Sequence, residues 1–252
     1  MKRPRARGSA VGLILMLLLA AGCADSAGPE RTTVVVSSAS SLTDVFEAIE
    51  QPFEAAHPNL DVVFNFGGSP TLAAQVAEGA PADVLALAND AVMQLVVAGG
   101  LTAGPPAVFA RNIPVIAVPV GNPAGVAGLA DFGREDLVLG LCAEDIPCGA
   151  LARKVLAEAN VSPSIDTAEP NVRALLGRIT AGELDAGIVY ATDLDAAPDR
   201  LEGIPIATTS TTSYPIVTLT TSEHPDGAEA FVDFVLSDAG QRILAEFGFL
   251  SP

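Results

Sequence analysis

Short apolar runs alternate with longer amphipathic segments along the chain from Thr33 onward. The short runs carry β-branched residues on both faces, which is typical of strands covered by helices on each side. They lie at 33–36, 62–66, 84–88, 113–118, 137–141, 187–190 and 216–219. The longer segments have helical spacing and lie at 42–56, 71–78, 91–98, 150–159, 172–181 and 226–247. This alternation predicts an α/β fold with mostly parallel sheets.

Two extended stretches, 112–119 and 208–220, are candidates for the places where the chain crosses between two domains. Two crossings predict a discontinuous first lobe, 32–112 with 214–252, and a continuous second lobe, 113–213. Within the first helical segment, Pro52 has no N–H for the helix ladder, so we expect it to bend or end that helix early.

The N-terminal segment has the organisation of an export signal. Four basic residues in the first seven positions precede an apolar run at 11–20, which predicts a signal peptide over 1–22. The sequence Ala-Ala-Gly-Cys that ends at Cys23 resembles a bacterial lipobox, with Ala20 at a position where Leu is usual. We therefore expect a lipid on Cys23 and a flexible tether over 23–31. The alternative is an ordinary secretory signal in which Cys23 is incidental.

The charge balance excludes one class of partner. The whole chain has a net charge of −17, and removal of 1–22 would leave 9 basic and 30 acidic residues, a net charge of −21. Such a surface repels nucleic acid and anionic lipid head groups, so we expect no nucleic-acid partner. It also repels anionic ligands at long range, so an anion site would depend on short-range hydrogen bonds. No later apolar run approaches 18 residues, so the lipid is the only membrane element expected.

Polar residues follow several of the predicted strands where helices begin. Ser41 with Asp44 has the spacing of a capping box, and Ser69 is a predicted N-cap with Pro70 at the first helical position. The segments 147–149 and 169–172 also open helices. A helix start offers unpaired N–H groups and a partial positive charge, which suit an oxyanion. Ordinary capping explains the same residues, so these junctions alone leave both roles open.

Enzyme chemistry has little support in the sequence. The Gly-Gly-Ser-Pro segment at 67–70 lacks the spacing of a nucleophile elbow, and the two histidines, His57 and His224, each lie beside a proline in a predicted loop. Asp83, Asp90, Asp193 and Asp195 lack the dense spacing of a calcium loop. Ferric binding would favour clustered tyrosines, and the chain has two, Tyr190 and Tyr214. We therefore predict that the protein is not an enzyme.

Two cysteines, Cys142 and Cys148, remain if Cys23 carries lipid. An even number of thiols in an oxidising compartment predicts a disulfide between them. The alternative is two independent small buried residues. Their spacing is not that of a C-x-x-C redox pair, and no nearby His completes a zinc site.

Seven short segments, spread over nearly the whole mature length, resemble the periplasmic molybdate-binding protein family. They are ASSLT at 39–43, FGGSPTL at 66–72, GAPADV at 79–84, PCG at 147–149, VRAL at 172–175, GIVY at 187–190 and FGF at 247–249. The resemblance implies a two-lobed type II periplasmic binding protein fold, with two crossing hinge segments, that closes over a tetrahedral oxyanion. It further implies an extracytoplasmic, monomeric partner of an ABC transporter permease.

The resemblance also implies a ligand set for molybdate or tungstate. In it, Ser41 and Ser69 give hydroxyl groups, Cys148 and Val172 give main-chain N–H groups, and Tyr190 gives its phenolic O–H. These donors would hold the oxyanion without any direct metal ligand, and the resemblance implies no cofactor. Two alternatives remain: a protein of the same fold for sulfate, phosphate or another small oxyanion, and a secreted hydrolase.

Overall fold

The computed structural model describes residues 31–252. The predicted signal peptide, Cys23 and all of the tether except Arg31 lie outside the described residues. Among residues 31–252, no helix combines the length and the apolar character that a membrane crossing requires.

The first sheet has five strands in the order β2-β1-β3-β10-β4. These are β1 (Thr32–Ala39), β2 (Leu60–Gly67), β3 (Val84–Ala86), β4 (Ala107–Asn112) and β10 (Thr212–Thr218). Its helices are α1 (Thr43–Ala56), α2 (Ser69–Ala77), α3 (Asp90–Ala98), α6 (Pro225–Leu236) and α7 (Asp238–Glu246). Phe46, Phe53 and Phe231 fill the core on one face, and Leu72 and Met93 belong to the core on the other. We call this sheet with its helices the first half.

The second sheet has five strands in the order β7-β6-β8-β5-β9. These are β5 (Pro114–Pro119), β6 (Leu139–Cys142), β7 (Thr167–Glu169), β8 (Ala186–Tyr190) and β9 (Leu201–Pro205). Its helices are α4 (Pro147–Glu158) and α5 (Val172–Thr180). Leu175 and Ile179 of α5 pack on one face of the sheet, and Val155 of α4 packs with Phe132 on the other. We call this sheet with its helices the second half.

The predicted α/β class is confirmed, but the sheets are mixed rather than mostly parallel. In the first sheet, β1 pairs with β2 and β3 in parallel, whereas β10 runs antiparallel to β3 and β4. The second sheet repeats this arrangement, with β6 parallel to β7 and β8, and β5 antiparallel to β8 and β9. The antiparallel pairs involve the strands next to the crossings. β4 ends at Asn112 just before β5 begins at Pro114, and β9 ends at Pro205 before β10 begins at Thr212.

Two predictions about where helices end were wrong. The helix α1 continues through Pro52 to Ala56, because Ile49 and Phe53 on either side of the proline are buried in the core. Tertiary packing there outweighs the lost helix hydrogen bond. The segment 226–247 forms two helices because Ser237 adopts an extended conformation, φ −69° and ψ 164°, and caps α7 by accepting the Gly240 N–H.

Candidate functional site

A cavity lies between the two halves, and we call it the inter-half cavity. Its lining from the first half is Ala39, Ser40, Ser41, Gly67, Gly68, Ser69 and Ala88, and from the second half Ile146, Pro147, Cys148, Asn171, Val172 and Tyr190. The structure thus brings all five predicted ligand residues to one place. The cavity is small, with about 10 Å³ open to the centre of a water-sized sphere. No lining residue carries a formal charge.

The lining lies at the carboxyl ends of parallel strands. Ser41 and Ser69 each follow within two residues of the ends of β1 and β2, and Tyr190 is the last residue of β8. Cys148 and Val172 lie in the first turns of α4 and α5, the helices that follow β6 and β7. This edge is where open α/β sheets bind their ligands.

The hydroxyl groups of Ser41 and Ser69 do not cap their helices, contrary to the sequence prediction. The N-caps of α1 and α2 are Leu42 and Gly68, with no side-chain cap bond. Instead, the Tyr214 hydroxyl donates to Ser41 Oγ at 3.0 Å, and the Ala88 N–H donates to Ser69 Oγ at 3.1 Å. A serine hydroxyl has one proton to donate. Both oxygens accept from the protein and donate to no group within residues 31–252, so each proton remains available for an acceptor in the cavity.

Tyr190 presents a buried hydroxyl without a partner. Its side chain is 2% exposed, and within residues 31–252 its Oη makes no hydrogen bond. The neighbouring Thr212 hydroxyl donates to the Ala88 carbonyl instead. Burial raises the pKa of Tyr190 well above its usual range, the nearby Tyr214 and Asp193 raise that pKa further, and the Thr212 hydroxyl opposes the shift. The phenol therefore stays protonated and can act only as a neutral hydrogen-bond partner.

Main-chain N–H groups at two helix starts are further potential donors at the cavity. The N–H groups in the first turn of a helix have no acceptor within that helix, and α4 and α5 both begin at the cavity. Asn171 caps α5 by accepting the Ala174 N–H at 2.9 Å. That bond leaves the Val172 N–H unused by the cap, as the proposed ligand role requires. The partial positive charge of both helix starts suits an anion.

The turn before α4 is held by several contacts. A disulfide joins Cys142, at the end of β6, to Cys148, with a Cα–Cα distance of 5.8 Å. Gly149 packs so closely that an added Cβ would lie 1.9 Å from the Ala143 carbonyl oxygen, so this position requires glycine. Arg153 donates to the carbonyls of Cys142 and Gly149. These contacts fix the main chain that carries the Cys148 N–H.

Two groups that support the site were not assigned this role from the sequence. Tyr214 reaches Ser41 from β10, and Asp193 accepts the Tyr190 N–H at 3.0 Å. Asp193 is fully buried and its Oδ1 has no partner within the described chain. Burial raises the pKa of Asp193 to about 7, Arg173 opposes the shift, and Asp44 adds to it. The contact of Asp193 with the Tyr190 N–H was not predicted from the sequence, because it depends on the turn after β8.

The other residues considered in the sequence lie elsewhere. Neither His57 nor His224 lines the inter-half cavity. Asp83 uses its carboxylate to accept from the Val35 N–H and the Ser222 hydroxyl, so it has a structural role. In the part of the chain that the structure describes, no group of three or more His, Cys, Asp or Glu residues could hold a metal ion.

Comparisons with known proteins agree with this architecture. Residues 34–250 match the family described as bacterial extracellular solute-binding protein. The molybdate-binding protein ModA of Mycobacterium tuberculosis is 34% identical over 257 residues, covering 97% of this chain and 98% of that protein. ModA of Haemophilus influenzae is 27% identical and covers 86% of this chain and 89% of that protein.

Solved structures share the fold. The periplasmic molybdate-binding protein of Azotobacter vinelandii has a TM-score of 0.76 and 19% identity, covering 87% of this chain and 99% of that chain. The sulfate-binding protein SubI of Mycobacterium tuberculosis has a TM-score of 0.77 and 17% identity, covering 87% of this chain and 86% of that chain. The two-sheet arrangement is therefore that of periplasmic binding proteins.

Proposed function

The chain belongs to the bacterial extracellular solute-binding proteins, in the family of the molybdate-binding proteins, and on that premise we propose that it captures molybdate or tungstate in the inter-half cavity. We propose further that it delivers the oxyanion to the permease of an ABC importer. Its relatives are binding proteins rather than enzymes, so no chemical step is proposed.

The observation that carries this proposal is the Tyr190 hydroxyl, which is buried at the cavity and has no hydrogen-bond partner among residues 31–252. Leaving a buried polar group unpaired costs about 1–3 kcal/mol, and a ligand that accepts its proton would recover that cost. Ser41 and Ser69 also have protons free to donate, for the reason given above. A fully deprotonated oxyanion only accepts hydrogen bonds, so a site built of donors matches it.

The cavity lining carries no formal charge, and this favours selective binding of one kind of oxyanion over binding of any anion. A buried Lys or Arg would attract any anion, whereas neutral donors must be matched in position to the oxygens they bind. Molybdate and tungstate have longer bonds to oxygen than sulfate has. A cavity that closes to fit the larger ions therefore holds sulfate loosely, and the near-equal size of the two metal oxyanions makes them equivalent ligands.

The cellular arrangement belongs to the same proposal. The lipobox-like sequence supports a lipid on Cys23, which would hold a monomer outside the cytoplasmic membrane within reach of its permease. The two crossings between the sheets support lobes at 32–112 with 214–252 and at 113–213. We propose that these lobes open and close about the crossings.

Calorimetry with molybdate, tungstate, sulfate and phosphate tests the proposed ligand. We expect tight binding of the first two and sulfate weaker by at least about 3 kcal/mol, or roughly two powers of ten. Binding should persist from low to physiological salt, because it depends on buried hydrogen bonds rather than exposed charge. Sulfate binding as tightly as molybdate would instead support the sulfate-binding alternative.

A further inference from the structure

One arginine joins the two halves beside the cavity. Arg173 is the second residue of α5, in the second half, and its Nε donates to the Ser40 carbonyl of the first half at 3.2 Å. Its Nη2 forms an ion pair with the Asp44 carboxylate at the start of α1. The Arg173 side chain is 24% exposed and that of Asp44 is 37% exposed, so water screens the pair only partly.

The place of these contacts links them to the proposed ligand set. Arg173 directly follows Val172, and Ser40 directly precedes Ser41. The bond from Arg173 to Ser40 therefore connects the main chain next to one proposed donor in each half. Among the ion pairs within residues 31–252, the Arg173–Asp44 pair is the one that connects the two halves.

We propose that Arg173 is a positioning residue that holds the two halves closed over the bound oxyanion. The inference rests on the proposed function, since it concerns the same site. The planar guanidinium suits this role because it can serve a carbonyl and a carboxylate at once. Asp44 balances its charge, so the arginine can join the halves while the donors to the anion stay neutral.

Such a contact should act on release more than on capture. The oxyanion enters while the halves are apart, before Arg173 meets Ser40 and Asp44, so the association rate constant should not depend on the arginine. Closure follows, and a weaker closing equilibrium returns the complex to the open form more often. We expect Arg173→Ala to raise both the dissociation constant and the dissociation rate constant for molybdate about tenfold.

Intrinsic tyrosine fluorescence can report ligand binding in this test. It has no tryptophan and two tyrosines, Tyr190 and Tyr214, both at the site. Stopped-flow tyrosine fluorescence gives the association rate constant for molybdate, and calorimetry gives the dissociation constant. The product of the association rate constant and the dissociation constant is the dissociation rate constant. Small-angle scattering with saturating molybdate adds an independent measure, because Arg173→Ala should leave the complex less compact than the parent.

Four variants separate positioning from general stability. Asp44→Ala should speed release, and adding it to Arg173→Ala should have little further effect, because the ion pair is already lost in Arg173→Ala. Arg173→Lys keeps the charge but not the planar guanidinium, so its affinity for molybdate should lie between those of the parent and Arg173→Ala. It replaces the alanine variant in the test if that variant fails to fold. Arg178→Ala is the matched control, because this arginine lies on the same helix but pairs with Glu169 and Glu183 inside the second half.

The outcomes are distinct. Parent protein that binds none of the four oxyanions would overturn the proposed function and this inference together. Parent that binds molybdate, with unchanged release from Arg173→Ala, would overturn the inference alone. A slower association with unchanged release, or an equal effect in Arg178→Ala, would also overturn it. Faster release confined to Arg173 and Asp44 variants, with partial recovery in Arg173→Lys, would support it.

Discussion

At the scale of single residues, the two tyrosines of the chain have different roles. Both rings are buried, with a centroid separation of 6.2 Å. The Tyr214 hydroxyl donates to Ser41, whereas the Tyr190 hydroxyl has no partner within the described residues. Loss of the first hydroxyl should therefore affect the free protein, and loss of the second should affect the complex.

We predict that Tyr190→Phe weakens molybdate binding by about 1.5–3 kcal/mol, the range for a hydrogen bond to a charged group. The free energy of unfolding without ligand should stay unchanged or increase slightly, because no hydrogen bond among residues 31–252 is lost. Calorimetry and urea unfolding measure the two quantities. Tyr214→Phe is the matched control and should lower the free energy of unfolding by roughly 1 kcal/mol. Parent-like affinity in Tyr190→Phe would contradict the proposed donor role.

The raised pKa of Asp193 leads to a prediction about how stability depends on pH. Burial raises its pKa from 3.8 to about 7, so between these values the folded protein binds a proton that the unfolded chain does not. The protonated Asp193 carboxyl therefore makes its full contribution to the free energy of unfolding below pH 4. This contribution is lost as the pH rises to about 7. Asparagine cannot ionise but can still accept the Tyr190 N–H. Asp193→Asn should match the parent near pH 4 and exceed it at pH 8, by up to roughly 4 kcal/mol.

Urea unfolding of both proteins from pH 4 to pH 8 checks this expectation. Asp195→Asn is the control, because it makes the same chemical change at an exposed aspartate on the same turn. Parallel profiles for the parent and Asp193→Asn would contradict the raised pKa.

At the scale of secondary-structure elements, the sequence predicted the central strands, the edge strand β2 and most helices, but not the other three edge strands. The three strands it missed, β4, β7 and β9, are all edge strands. An edge strand pairs with one neighbour only, and the apolar pattern is weak in β7 and β9. β7 has only three residues, and β9 contains a glycine and ends in a proline. The mixed pairing was also missed, since strand direction depends on the crossings.

The candidate site could likewise be predicted only in part from the sequence. Its five residues could be located because the carboxyl ends of parallel strands come together, and because the motifs resemble a known family. The partners of its hydroxyl groups could not be predicted. Tyr214 reaches Ser41 across 173 positions of sequence, and no local pattern signals that contact. Ser41 and Ser69 lie in sequences typical of helix caps, yet their side chains accept hydrogen bonds from residues distant in the sequence.

The disulfide between Cys142 and Cys148 leads to a prediction about the start of α4. The bond closes a short loop whose last residue carries a proposed N–H donor, so it should reduce the ordering cost of binding. We expect reduction, or Cys142→Ser with Cys148→Ala, to weaken molybdate binding about two- to fivefold, and the free energy of unfolding to fall by about 2 kcal/mol. Calorimetry and urea unfolding test these effects. Mass spectrometry of non-reduced peptides tests the bond itself.

Gly149 and Arg153 still hold the turn after the disulfide is removed, which is why the expected loss of affinity is modest. The same treatment of the Cys142→Ser, Cys148→Ala variant is the control, since a reducing agent should have no further effect on it. Unchanged affinity of the reduced parent would contradict the role in binding, and two free thiols in exported protein would contradict the bond.

At the scale of the whole molecule, the two halves approach closely at Gly68. A Cβ added to this residue would lie 2.6 Å from the Pro170 carbonyl oxygen in the second half. Gly68 has φ −69° and ψ 135°, a conformation that any residue can adopt. Glycine is therefore required here by the contact between the halves and not by the local backbone. The oxygen belongs to the main chain, so the halves would have to separate to make room.

We predict that Gly68→Ala lowers molybdate affinity at least about tenfold, because the added methyl group opposes closure while the open form accommodates it. Each half keeps its own core, so the unfolding midpoint without ligand should change little. Gly177→Ala is the matched control: an added Cβ at Gly177 meets no atom within 4 Å, and alanine favours a helix interior. Calorimetry measures the affinity, and small-angle scattering with saturating molybdate should find Gly68→Ala less compact than both the parent and Gly177→Ala. A variant that binds and closes like the parent would show that the halves need not meet at Gly68 for capture, and the closing motion proposed for this protein would then have to be abandoned.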